Sequence, residues 1–240
     1  MKMEQAMKNT KLKNGFTLAE VLITLGIIGI VVVMTIPTLI AKINEQITVN
    51  KLKEAYSIFN QAYKLAIVEN GTPEGWNNAE RDSIDGAKNL FEIFKPHMKI
   101  ALVCQNGSDK CFSKDKYKPL FGDNDFIFQP GAYGTSVSQG MLINGVSFMF
   151  WSAGNTVDGL TGNLMIDLNG PKPPNRAGMD YFCFRIADKA FLTYDTSIDF
   201  VSSYKCDYNS SDVSNGFLCT GWILKKGNMD YLKRDISNSW

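Results

Sequence analysis

From Val21 to Ala41 the chain carries no charged residue, a run of 21 positions made mostly of Val, Ile, Leu and small residues. At about 1.5 Å per helical residue it reaches about 30 Å, the hydrocarbon thickness of a bilayer, and so predicts a membrane-spanning helix. Pro37 removes one backbone donor inside it, which predicts a kink or a locally melted turn. Beyond Ala41 the pattern changes. Apolar residues return at Ile43, Ile47, Leu52, Tyr56, Phe59, Tyr63 and Ile67, in steps of 3 to 5, and charged residues such as Lys51, Lys53, Glu54 and Lys64 fall mainly off that stripe. This is an amphipathic helix, stopped by Gly71-Thr72-Pro73. The two patterns join into one helix expected over Thr17 to Glu69, 53 residues long and roughly 80 Å from end to end.

The remaining chain, residues 72–240, is long enough for one domain with a buried core. Asp85 to Phe94 reads as a short helix ended by Pro96, and Gly140 to Trp151 as a hairpin around Asn144-Gly145. Asn163–Asp167, Tyr181–Ile186 and Gly221–Leu224 read as further strands. The expected fold is α+β, a long N-terminal helix lying across an antiparallel sheet of about four strands. Four segments follow: 1–15 a basic leader, 16–41 the membrane helix, 42–71 its amphipathic extension, and 72–240 the head.

Charge fixes the expected orientation. Lys2, Lys8, Lys11 and Lys13 precede the apolar run against only Glu4, which places that end in the cytoplasm and exports the rest. A cleaved secretory signal would have a shorter apolar core followed by a small-residue site, and none follows here. Glu20, at the mouth of the apolar run, is the exception to its polarity. An acid in that position costs several kcal/mol unless it finds a partner, which marks it as functional.

Lys13-Asn14-Gly15-Phe16-Thr17-Leu18-Ala19-Glu20-Val21-Leu22 resembles the N-terminal processing motif of type IV pilins and type II secretion pseudopilins, and Pro37 falls where that family commonly has a proline. The resemblance implies cleavage between Gly15 and Phe16 by a membrane prepilin peptidase, followed by N-methylation of Phe16. It also implies that the apolar helix stays on the mature protein and packs with related subunits. Glu20 would then pair with the terminal amine of a neighbour and set register. Ala19 departs from the larger aliphatic residue usual there, without removing any chemistry. The implied setting is a bacterial inner membrane with its assembly platform, then a periplasmic or cell-surface filament.

Five cysteines in an exported chain invite disulfides. Cys104 and Cys111 close a small polar loop, and Cys206 and Cys219 bracket a stretch too polar to fold on a core of its own; these are the expected pairs. Cys183, between Phe182 and Phe184, reads as a buried small hydrophobe. A second family likeness lies in Asp167 to Phe182, similar to the D-x-N-G…P-N-x-x-G-x-D-x-F loop of many pilin-like heads. Asp167, Asn169, Asn175 and Asp180 bring four oxygen side chains into it, a ligand set suited to Ca²⁺. The competing account is Asx turns, in which the same side chains accept from backbone amides. No cofactor is required on either account.

An enzyme finds little footing: P-loop, G-x-S-x-G and H-E-x-x-H patterns are absent, and His97, the single histidine, is expected at the surface. The net charge is +1, and removing the leader leaves 21 basic against 23 acidic residues, which disfavours general nucleic-acid binding. Lys225-Lys226 and Lys233-Arg234 are the only basic clusters. These observations point to a filament subunit. The rival from another class is an exported enzyme or ligand-binding domain that uses the helix only as a tether.

Overall fold

The computed structural model describes residues 15–76, 80–105, 109–130, 136–154, 159–194, 204–237 and 239–240. The leader as far as Asn14, including Lys13 and Asn14 of the processing motif, lies outside the described residues. Helix α1 runs from Leu18 to Asn70, 53 residues. The chain divides into two compact units at Asn44/Glu45.

In the first unit the apolar side chains of α1 are exposed along its length, from Leu18 to Ile43. It is the one helix among the described residues long and apolar enough to cross a membrane. The helix is unbroken through Pro37, so the expected melting does not occur. Thr35 and Thr38 hydroxyls donate to the carbonyls of Val31 and Thr35 at 2.8 and 2.9 Å around that point.

The second unit contains the remainder of α1 and the head. Here α1 buries Val49, Leu52, Ala55, Phe59, Ala62, Tyr63 and Ala66. The expected stripe holds from Leu52 onward, with Tyr56 and Ile67 partly buried against the core, while Ile43 and Ile47 stay about half exposed and Ala55, Ala62 and Ala66 join the buried face. Alanine lets the helix axis approach the sheet closely, and the larger Tyr56, Phe59 and Tyr63 reach to its sides. Phe59 packs edge-on against Phe148, and Tyr56 stacks on Phe184 and Phe191. The Tyr63 hydroxyl donates to Ala187 O at 2.7 Å; burial, then nearby Asp188, push its pKa up to about 12.

Helix α2, Ile84–Phe94, starts at Ser83, whose side chain accepts from Gly86 N. It lays Leu90, Phe91 and Phe94 on the same sheet face as α1, with Phe91 and Phe94 against Phe150. Gly162 permits that approach: a Cβ there would lie 2.5 Å from Leu90 Cδ1 and 2.7 Å from Trp151 O.

The sheet has six strands rather than about four: β1 Ile100–Cys104, β2 Val137–Leu142, β3 Ser147–Ser152, β4 Leu160–Asp167, β5 Tyr181–Ala187 and β6 Phe191–Thr193. They lie side by side in chain order, every neighbouring pair antiparallel. Between β2 and β3 the turn closes through Gly145 N to Leu142 O at 2.9 Å, with Gly145 at φ +84°, the left-handed conformation that glycine adopts without strain.

The register sorts the strands into two faces. Phe148, Phe150, Ile166, Leu164, Phe182 and Phe184 share the face under the helices. Gln139, Asn163, Asp167, Cys183 and Arg185 share the other, which the loops and helix α3, Cys219–Lys226, cover. Strands β3, β4 and β5 are therefore buried at every position. The polar residues on the second face find partners in the loops: Gln139 Nε2 donates to Gln105 O at 2.7 Å, and the Tyr194 hydroxyl to Asn163 Oδ1 at 2.5 Å.

The expected strand Gly221–Leu224 is instead the middle of α3. Its first residue is tied by a disulfide, Lys225 and Lys226 suit its C-terminal dipole, and Gly227 caps it at φ +73°. Those constraints outweigh the β-favouring pair Trp222-Ile223.

Candidate processing and assembly site

Gly15, Phe16 and Thr17 of the processing motif stand just before α1, and Leu18 to Leu22 form its start. Phe16 is 89% exposed. Thr17 and Glu20 bond reciprocally: Glu20 Oε2 accepts from Thr17 N at 2.8 Å and from the Thr17 hydroxyl at 2.9 Å, while Thr17 Oγ1 accepts from Glu20 N at 3.2 Å. This is a capping box, which satisfies amides that a helix start leaves without partners and sets a negative charge against the positive end of the helix dipole. In the single chain the partner of Glu20 is thus Thr17. Sequence reasoning sought it only in a neighbouring subunit, although the T-x-x-E spacing is legible.

The loop from Asp167 to Asp180 lies at the end of β4. Asp167 is fully buried and Asp180 is 4% exposed. Asp167 Oδ1 accepts from Asn169 N at 3.0 Å, and Oδ2 from the Tyr117 hydroxyl at 2.5 Å. Asp180 Oδ2 accepts from Asn175 N at 2.8 Å and Oδ1 from Arg176 N at 2.7 Å. Asn169 Nδ2 donates to Pro173 O at 3.1 Å. Burial raises the pKa of both acids, and the charge of Asp180 adds to the rise at Asp167. The side-chain oxygens of Asn169 and Asn175 are buried without a donor. Among the described residues no group of three or more His, Cys, Asp or Glu is placed to hold a metal. Asp167 with Asn169 N forms an Asx turn, Asp180 accepts from amides five and four residues before it, and Tyr117 reaches in from another loop.

Cys104 is bonded to Cys111 and Cys206 to Cys219, with Cα atoms 6.3 and 5.0 Å apart. Cys183 is free and buried, and burial pushes its thiol pKa well up, away from reactivity. The basic clusters are engaged within the chain: Lys233 pairs with Glu45 at 2.7 Å, Arg234 with Asp230 at 2.6 Å, and Lys226 lies over the Trp222 ring. His97 departs from expectation. Its side chain is only 7% exposed, with Nε2 3.3 Å from Glu69 Oε2. It borders a cavity of about 370 Å³ beside Ile58, Leu65, Leu142 and Ile143, and no serine or cysteine lines that cavity.

Residues 10–36 match the model of the prokaryotic N-terminal methylation motif. With the long helix and the antiparallel head stapled by two disulfides, they define a type IV pilin- or pseudopilin-like precursor. Residues 38–185 match a second model, a family of unknown function (DUF6613), and the chain belongs to that family. No curated protein and no solved structure matches the chain.

Proposed function

We propose that this chain is the precursor of a structural subunit of a type IV pilus or type II secretion pseudopilus. It is inserted with its N-terminus in the cytoplasm, cut after Gly15, N-methylated at Phe16, and polymerised by packing of the α1 span. The observation that carries the reading is the methylation motif running into an apolar span of α1 whose side chains are exposed from Leu18 to Ile43. A helix exposed in that way needs lipid or other helices around it. Cleavage puts a cationic amine one residue before the capping box, at the positive end of the helix dipole, where it is disfavoured without a nearby anion. Glu20 of a neighbouring subunit supplies one when the two helices dock in register. The head acts as the exported, disulfide-stapled surface of the filament. Mass spectrometry of the membrane-extracted protein tests this: the expected N-terminal peptide begins at methylated Phe16. An intact Met1-bearing chain would leave the helix as a simple tether and remove the filament reading.

A further inference from the structure

The sheet alternates direction through an even number of strands, so β6 runs antiparallel to β1. A second copy displaced sideways by one sheet width therefore presents its β1 to β6 of the first in antiparallel sense. Among the described residues no strand pairs with either outer edge.

The two edges also match in facing. β1 spans five residues, with a bulge between Ile100 and Leu102, and β6 three; with Leu102 opposite Leu192, Ala101 to Val103 stand against Thr193 to Phe191. Leu102 stands opposite Met141, and Leu192 opposite Arg185, which places both leucines on the loop-covered face of the sheet. They are 36% and 40% exposed, and Val103 is 54% exposed. Exposed edges are commonly blunted with charges or proline, and neither strand contains one.

We propose that β1 of one subunit adds to β6 of the next, with Leu102 opposite Leu192, as a lateral contact between heads in the filament. The proposal rests on the filament reading above. The occupant is a second copy because each edge offers the other an open strand of opposite direction with a leucine on the same face. Such a contact is head-to-tail, so it propagates along an assembly instead of closing a dimer. Three residues of ladder are too little to hold two free proteins together. They suffice once the α1 spans hold the subunits side by side, because the edge contact is then effectively intramolecular.

Directly opposed side chains across an antiparallel pair have Cβ atoms about 4.5–5.5 Å apart, close to disulfide range. The full-length chain carrying both Leu102→Cys and Leu192→Cys is assembled into filaments and oxidised. Non-reducing electrophoresis should show a ladder in one-subunit steps, while each single variant stays monomeric. Ala101→Cys with Thr193→Cys, the adjacent position in the same register, serves if the first pair impairs folding, and should give the same ladder. Filaments that form normally yet remain monomeric after oxidation with both pairs would overturn the edge contact and leave the filament reading intact. Dimers from either single variant would overturn it in favour of a two-fold contact. Failure of the unmodified chain to form filaments under the same conditions would remove both readings.

Discussion

Tyr117→Phe removes a hydroxyl that reaches Asp167 from outside its own loop. That donor lies 2.5 Å from Asp167 Oδ2, and the carboxylate is fully buried. The substitution keeps the ring, and with it the packing on Phe112 and Tyr181, so what changes is the bond to Asp167 and a longer one accepted from Ser113 N at 3.4 Å. A bond to a charged group contributes about 1.5–3 kcal/mol, and a buried acceptor left short of a donor keeps its desolvation cost. We expect a loss of about 2 kcal/mol at neutral pH. The pH dependence carries its own sign. Burial, then Asp180, hold the folded pKa of Asp167 above its ordinary value. Stability from this group is therefore fully present below the unfolded pKa and is lost as pH rises through the folded one. Tyr117 partly offsets that loss by favouring the ionised form, so the variant should suffer more once pH has risen through the folded pKa of Asp167 than near pH 4, about where an ordinary aspartate titrates. Urea unfolding of the detergent-solubilised chain, followed by fluorescence of Trp76, Trp151, Trp222 and Trp240, measures both. A loss under about 0.5 kcal/mol at neutral pH, the size of an inert surface change, would refute this account of the loop, as would an equal loss on both sides of the folded pKa of Asp167.

Gly15→Val should block cleavage and leave the precursor in the membrane; a mature-sized product from that variant would count against the processing site. Glu20→Ala should be inserted and cleaved but should enter filaments poorly, and wild-type filament yield with the variant as sole copy would show that Glu20 does not set register. Cys206→Ser with Cys219→Ser opens a ring whose closure contributes on the order of 3 kcal/mol, so the oxidised wild type should melt measurably higher than the pair variant. Thermal melts with calcium and with chelator should coincide, because the Asp167 and Asp180 oxygens already accept from amides and from Tyr117; a calcium-dependent rise would make the loop a cation site stabilised by mass action.

The parts of the fold legible in the sequence are those where one physical signal dominates. Continuous polarity patterning marked α1 to within one residue at each end, and the Asn144-Gly145 turn marked the central hairpin. Other parts depend on contacts that no local pattern carries. Strand β1 is mostly exposed and β6 is three residues long, so neither offers enough alternation to register as a strand. The stripe α1 buries was legible at Leu52, Phe59 and Tyr63, while Ala55, Ala62 and Ala66 went unread because apolar size was weighed, whereas a helix packed on a sheet has room for alanine. His97 is covered by packing between α1 and the segment after α2, a contact across sequence separation that composition cannot reveal. At the N-terminus the acid was legible, while its partner within the chain needed the T-x-x-E spacing to be read as helix-capping chemistry as well as a processing signal.

That capping box changes what Glu20 contributes to assembly. A carboxylate with no partner in the apolar zone would make docking strongly favourable merely by relieving it. Here Thr17 already supplies two donors in the lone chain, so in the proposed filament docking would exchange those bonds for an ion pair with a neighbour's amine. The net gain is the difference between two satisfied states and is correspondingly small, while a misregistered neighbour leaves its own amine uncompensated at a helix N-terminus. On the proposed reading, selectivity for register would come from the penalty on the wrong arrangement, and affinity from the long apolar face of α1. Thr17→Val, which deletes the hydroxyl and keeps its volume, separates the two contributions. It weakens the lone-chain state by about 0.5–2 kcal/mol, the range for losing a cap, and so should make Glu20 more available. Filament yield should hold or rise while amide exchange at Leu18 to Glu20 in the unassembled chain speeds up. A fall in yield with unchanged exchange would show that Thr17 acts in the filament itself, and that the exchange of partners is not what sets register.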